Sequence, residues 1–158
     1  MLKFITNILK TMRQSKIKIK IKKLVTQAVI PTYSNPGDAC LDITAISETI
    51  VEESGFGYIE YGTGLAFSLP ENHVMLIYPR SSISNQALIL ANSVGVLDQG
   101  YIGELKLRFK YIKGGSKYKI GDRIGQIMVI PRPLVVFEEV EELSETSRGE
   151  GGWGSSGS

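Results

Sequence analysis

Cysteine is nearly absent from this sequence. The 158-residue chain holds one, Cys40, so no disulfide can form within it and crosslinks cannot supply its stability. A single thiol suits a reducing compartment, and a cytoplasmic protein is expected (host cytoplasm or nucleus for a viral source). Histidine is as scarce: His73 stands alone, which excludes a His-rich metal centre. No run of about 18 apolar residues occurs, so no membrane-spanning helix is expected. Acidic residues are missing from the start of the chain. None precedes Asp38, while eight Lys or Arg fall within the first 23 residues. From Leu24 onward 16 acidic residues face ten basic ones. A basic arm on an acidic body is a pattern of nucleic-acid or membrane contact, but a solvated arm is the simpler reading, and no stable nucleic-acid binding is expected.

Helical periodicity is also scarce. Met1 to Gln14 has apolar residues at helical spacing (Phe4, Ile5, Ile8, Leu9, Met12), but Asn7 and Lys10 break the apolar core that a signal peptide needs. Translation from Met12 would remove the first 11 residues. Strand patterns fill the rest. Ile17, Ile19 and Ile21 alternate with Lys18, Lys20 and Lys22, and Leu105, Leu107, Phe109 and Tyr111 alternate with Glu104, Lys106, Arg108 and Lys110. Leu41 to Ala45, Glu48 to Glu52, Val74 to Tyr78, Ile124 to Ile130 and Leu134 to Val140 are further strands. Tyr58 to Tyr61 and Thr63 to Leu69 read as a pair joined at Gly62. Gln86 to Ala91 is left open between helix and strand. About ten short strands with frequent turn signals predict an all-β jelly roll over residues 16–143. A basic extension (1–15) precedes it, and a Gly/Ser-rich flexible arm (144–158) follows.

Five clusters stand out from this scaffold. Ala39-Cys40-Leu41-Asp42 carries a carboxylate into a strand, where it can also be a plain cap. Pro79-Arg80-Ser81-Ser82 follows an apolar strand, and an Arg, two hydroxyls and turn N–H groups can cradle an anion. Taken alone, a surface turn is the favoured reading. The stretch Asn92 to Glu104 reads as a hairpin with Gly100 in its turn, placing Asp98 beside Tyr101. Such a carboxylate can orient a water next to a flat ligand, although local pattern alone favours a turn cap. In Gly121-Asp122-Arg123-Ile124-Gly125-Gln126, Gln126 interrupts an apolar run and needs partners, which core hydrogen bonds or a ligand would provide. The arm carries Arg148, Trp153 and the hydroxyls of Ser155, Ser156 and Ser158, a set suited to a ligand with a phosphate end and a flat aromatic end. These residues point to a nucleotide carrying phosphates and do not choose its base.

In order and spacing, the five clusters together resemble the trimeric all-β dUTPases (dUTP diphosphatases). The arm pattern Arg-Gly-x-Gly-Gly-aromatic-Gly-Ser-Ser-Gly is the most specific part. The resemblance implies hydrolysis of dUTP to dUMP and pyrophosphate with Mg²⁺, by water attack on the α-phosphate. It would limit uracil in DNA and supply dUMP for thymidylate synthesis. It also implies a homotrimer with sites between subunits. Asp98 would activate the water, and Gln126 would contact the phosphates or position the water. Tyr101 would exclude a ribose 2′-hydroxyl, and Asn92 with the backbone around Gly95 would read the uracil. Ser81, Ser82 and Arg148 would hold phosphates, and Arg80 would support the phosphates or the interface. Trp153, Gly154, Ser155 and Ser156 would close over the nucleotide, and Asp42 would act on Mg²⁺ through water. The chain departs from the family pattern at Cys40, where Gly is usual, and at Trp153, where Phe is commoner. A dCTP deaminase of the same fold is an alternative, but Arg108 stands where that family places a catalytic Glu. A non-catalytic nucleotide-binding or regulatory protein is another.

Overall fold

The computed structural model describes residues 16–53, 56–112 and 114–152. It contains nine strands: β1 (Lys20–Lys23), β2 (Leu41–Thr44), β3 (Ser47–Glu53), β4 (Phe56–Ser68), β5 (His73–Tyr78), β6 (Leu88–Leu90), β7 (Gly95–Leu97), β8 (Glu104–Tyr111) and β9 (Arg123–Pro131). One 3₁₀ turn, Ser81–Asn85, lies between β5 and β6. The strands form two antiparallel sheets, one ordered β1-β4-β8-β6 with β3 also on β4, the other β2-β9-β5-β7. This is the all-β architecture that the strand patterns predict.

Both sheets turn their apolar faces to one core. Tyr61, Leu65, Leu107 and Phe109 come from the first, and Ile43, Met75, Ile77, Ile124 and Ile127 from the second. In β8 every second residue, Leu105, Leu107 and Phe109, is buried while Lys106 and Arg108 face out, the period of a strand wet on one side. Burying each such side chain contributes about 1.5–3 kcal/mol.

The structure corrects several sequence expectations. Residues 56–68 are one strand, with no turn at Gly62. The sequence signal there marks a bulge. Pairing with β8 slips between Gly62↔Lys106 and Ala66↔Glu104. Gly64 lies within the slip at φ +63°, where an added Cβ would come within 2.5 Å of Ile46 Cδ1. Glycine is the residue that meets both demands. The extra backbone is satisfied: the Gly64 N–H donates to Glu104 Oε1 (2.8 Å) and the Thr63 hydroxyl to the Leu105 carbonyl (2.7 Å).

The strand expected from Lys16 begins at Lys20, opposite Ser68 at the end of its partner β4. The open stretch 86–91 resolves into the end of the 3₁₀ turn followed by β6. Asn92 to Glu104 is not a hairpin: β7 pairs with β5 in one sheet, and β8 pairs with β4 and β6 in the other. Residues 98–103 therefore carry the chain from sheet to sheet. Residues 134–140 form no strand. Pro131 and Pro133 remove two backbone donors as the chain leaves β9, and the following side chains, such as Phe137 (92 % exposed), find no edge among the described residues.

Candidate active site

The predicted site residues fall into three groups. The first lies on the second sheet. Register places Asp42 of β2 and Tyr78 of β5 on either side of Gln126 of β9. Asp42 is fully engaged. Its Oδ1 accepts from Arg80 Nε (2.7 Å), and its Oδ2 accepts from the Ser34 hydroxyl (2.7 Å) and Arg123 Nη1 (2.8 Å). Burial raises its carboxyl pKa, but the Ser34 bond and the Arg80 and Arg123 charges outweigh that and hold it below the ordinary 3.8. Gln126 Nε2 donates to the Pro79 carbonyl (2.9 Å), so the amide that interrupts the apolar run is tied to the segment between β5 and the 3₁₀ turn, next to Arg80. Ser81 opens the 3₁₀ turn and is exposed. Beginning a helical turn there leaves its first N–H groups without intrahelical partners, as an anion cradle requires. Arg123 and Ser34 join this group without having been singled out in the sequence. Arg123 has a visible signal, its place in Gly-Asp-Arg directly before Gln126. Ser34 has none.

The usual glycine before Asp42 is Cys40 here. The strand still enters correctly, with the Asp42 N–H on the Thr32 carbonyl (3.0 Å). Burial and the neighbouring Asp42 charge push the Cys40 thiol pKa up, so it is a poor thiolate nucleophile.

The second group surrounds a cleft of about 500 Å³ where the chain crosses between sheets, lined by Asn92, Gly95, Asp98 and Tyr101. Gly95 is buried against Ile77, whose Cβ would lie 3.1 Å from an added methyl. That closeness leaves the Gly95 backbone as the cleft floor. The turn after β7 is closed by backbone, with the Tyr101 N–H on the Asp98 carbonyl (3.1 Å). Among the described residues nothing hydrogen-bonds the Asp98 carboxylate, which is exposed. Asp98 is therefore not a side-chain cap. Asp38 and Asp122 are: their carboxylates accept the N–H groups of Asn35 and Lys119 (both 2.7 Å). The Tyr101 ring lies against Gly103, where a Cβ would sit 2.5 Å from the phenol oxygen, and its hydroxyl donates to the Glu104 carbonyl (3.0 Å).

The outer wall of the cleft is ionic. Glu60 accepts from Lys106 Nζ and Arg108 Nε, both at 2.8 Å, and Arg108 lies 4.5 Å over the Tyr58 ring. The Lys106 bond holds the Glu60 carboxyl below its ordinary 4.5; burial opposes this and the Arg108 bond adds to it. A lowered carboxylate stabilises the fold above its unfolded pKa, and that contribution is lost as pH falls through the folded value. The melting-temperature difference between the wild type and Glu60→Gln is therefore largest above about pH 5 and shrinks as pH falls below that. Thermal denaturation against pH checks this, and a pH-independent difference contradicts it.

None of Asp42, Arg80, Ser81, Ser82 and Gln126 lines this cleft. The third group, the arm, stands apart from both. Arg148 is curled onto its own segment, with Nε on the Gly151 carbonyl (2.9 Å). Trp153, Gly154, Ser155 and Ser156 lie outside the described residues. Among those described, no cluster of three or more His, Cys, Asp or Glu could hold a metal ion, and no helix is long and apolar enough to cross a membrane.

Comparison with known proteins gives this arrangement a context. The dUTPase family model matches residues 26–157. The chain is 40% identical to a deoxyuridine 5'-triphosphate nucleotidohydrolase of Rhodococcus erythropolis, over 89% of this chain and 87% of that protein. It is 38% identical to the Nocardia farcinica protein of the same name, over 88% and 85% of the two chains. Among solved structures, Staphylococcus bacteriophage 80alpha dUTPase with dUPNHPP superimposes with a TM-score of 0.76 at 27% identity, over 89% of this chain and 99% of that one. Fold and relatives agree, and the chain belongs to the dUTPase family.

Proposed function

We propose that the protein hydrolyses dUTP to dUMP and pyrophosphate, and that the groups separated within one chain form one site between the subunits of a homotrimer. The observation that carries the reading is the uncommitted Asp98 carboxylate at the mouth of a cleft floored by Gly95 and flanked by Tyr101. Asp98 takes a proton from water as its oxygen bonds to the α-phosphorus. The bond from that phosphorus to the oxygen bridging to the β-phosphate breaks, and pyrophosphate leaves with the electron pair. Arg80, Ser81, Ser82 and Arg148 stabilise charge on the phosphates, and Gln126 positions the water. Asn92 and the Gly95 backbone read the uracil edge. Trp153 covers the ring, and Gly154, Ser155 and Ser156 close behind it. Lowering cellular dUTP in this way limits uracil in DNA, and the dUMP formed feeds thymidylate synthesis.

Mg²⁺ fits this site as an ion held mainly by the substrate's phosphates. Both oxygens of Asp42 are already occupied by Arg80, Arg123 and Ser34, so contact through water suits that residue and direct ligation does not. Bound there, Mg²⁺ would neutralise phosphate charge and polarise the phosphorus. The homotrimer is supported by residues 134–143, whose exposed Leu134, Val136, Phe137 and Leu143 have no cover among the described residues. Deamination is disfavoured: Arg108 occupies the position of a catalytic Glu, and the nearby Glu60 is locked by two cations with a lowered pKa.

The Tyr101 ring is the proposed sugar gate, and Gly103 sets its height. Gly103→Ala pushes the ring toward the substrate or off it. The ratio of kcat/KM for dUTP over UTP, read by pyrophosphate release, should narrow by roughly tenfold. An unchanged ratio would remove Tyr101 from this role. A wild type indifferent to the base and sugar of the triphosphate would remove the functional reading itself.

A further inference from the structure

One buried polar group lies outside the phosphate and base contacts proposed above. Tyr118 is 3% exposed, and its hydroxyl is buried without a hydrogen bond among the described residues. An unsatisfied buried hydroxyl is costly to keep when phenylalanine fills the same space. The ring itself is well anchored. It packs edge-on to Tyr61 and Phe109 with centroids 6.2 and 5.6 Å away, and its backbone carbonyl accepts the Tyr61 hydroxyl at 2.9 Å. Its free end lies at the Arg80-Ser81-Ser82 turn, close enough for the Ser82 side chain and the Arg80 charge to act on the hydroxyl, although no hydrogen bond of normal geometry closes among the described residues. Ser82 in turn is only weakly held, accepting from Arg80 Nη1 at 3.4 Å. The far end of the same turn is clamped by the segment that carries Tyr118: the Ser116 hydroxyl reaches the Asn85 carbonyl (3.3 Å) and Gln86 Oε1 (2.9 Å).

We propose that Tyr118 is a positioning residue for the phosphate cradle, its hydroxyl donating to Ser82 Oγ from below when the turn closes on the substrate's phosphates. This rests on the dUTP reading above. With the phosphates in place, Arg80 turns its free nitrogens to them and gives up its weak hold on Ser82. The Ser82 oxygen then needs a donor, and the Tyr118 hydroxyl is the one waiting beneath it. Burial keeps that hydroxyl protonated, so it donates throughout the neutral range.

The test is Tyr118→Phe in the full-length protein, followed by pyrophosphate release, dUMP binding and thermal melting. KM for dUTP should rise roughly three- to tenfold, the worth of one net hydrogen bond, with kcat changed less than about twofold. The melting temperature should hold or rise, because the substitution removes an orphaned hydroxyl. Affinity for dUMP, which lacks the outer phosphates, should be unchanged. In a Ser82→Ala background, adding Tyr118→Phe should have no further effect on KM. An unaltered KM overturns the proposal, as does an equal effect in the Ser82→Ala background. Parallel losses in melting temperature and dUMP binding make the residue merely structural and overturn it as well. A wild type that releases no pyrophosphate from dUTP brings down the functional reading and this proposal together, whereas an active wild type with an indifferent Tyr118→Phe sinks the proposal alone.

Discussion

Asp98→Asn should keep dUTP binding and lose turnover by on the order of a hundred- to ten-thousandfold, the usual worth of a general base. The amide has the size of the carboxylate and can still hydrogen-bond a sugar hydroxyl, but it cannot take a proton from water. The local structure makes this a clean substitution. The turn at Asp98 is closed by its carbonyl and the Tyr101 N–H, and its exposed side chain supports nothing else among the described residues. Folding and the cleft should therefore survive the change. Binding of a non-hydrolysable analogue and single-turnover hydrolysis separate the two effects, and a variant with near-wild-type turnover would remove Asp98 from the mechanism.

Removing residues 148–158 should lower kcat/KM by at least about a hundredfold, the scale of losing one charged donor from a transition state. Assembly should be untouched, because the exposed apolar side chains of residues 134–143 remain. In the proposed closure the arm would work against a cost of about 1–2 kcal/mol for each residue it orders. Stacking by Trp153 would return about 1–3 kcal/mol, and an Arg148 ion pair with phosphate would supply more. Among the described residues Arg148 bonds to the Gly151 carbonyl of its own arm at 2.9 Å, an arrangement it must abandon to reach a phosphate. Light scattering and pyrophosphate release on the truncated protein check both halves. Full activity without the arm would show that it does not close the site.

The sequence shows the core strands well because alternation is local: Leu105, Leu107 and Phe109 announce their face by spacing alone. It misleads where a tertiary partner decides. Gly95–Leu97 and Glu104–Tyr111 look like two arms of a hairpin, yet each finds a better edge in a different sheet. Gly62 looks like a turn because a bulge and a turn use the same residue types, and only the register with β8 tells them apart. Residues 134–140 have strand composition without an edge among the described residues, which no local pattern reveals. The site follows the same rule. Asp42, Arg80 and Gln126 are visible as motifs, and the structure joins them through Pro79 and Arg123. Ser34 leaves no sequence signal, because its importance lies in reaching Asp42 across 8 positions of chain.

In the proposed reaction an Asp98-activated water attacks the α-phosphorus of dUTP. Turnover of dUTP by the wild type in heavy-oxygen water, with the label located by mass spectrometry in each product, tests this step. Label should enter the phosphate of dUMP and be missing from the pyrophosphate. Label in the pyrophosphate, or no turnover of dUTP at all, would rule the step out.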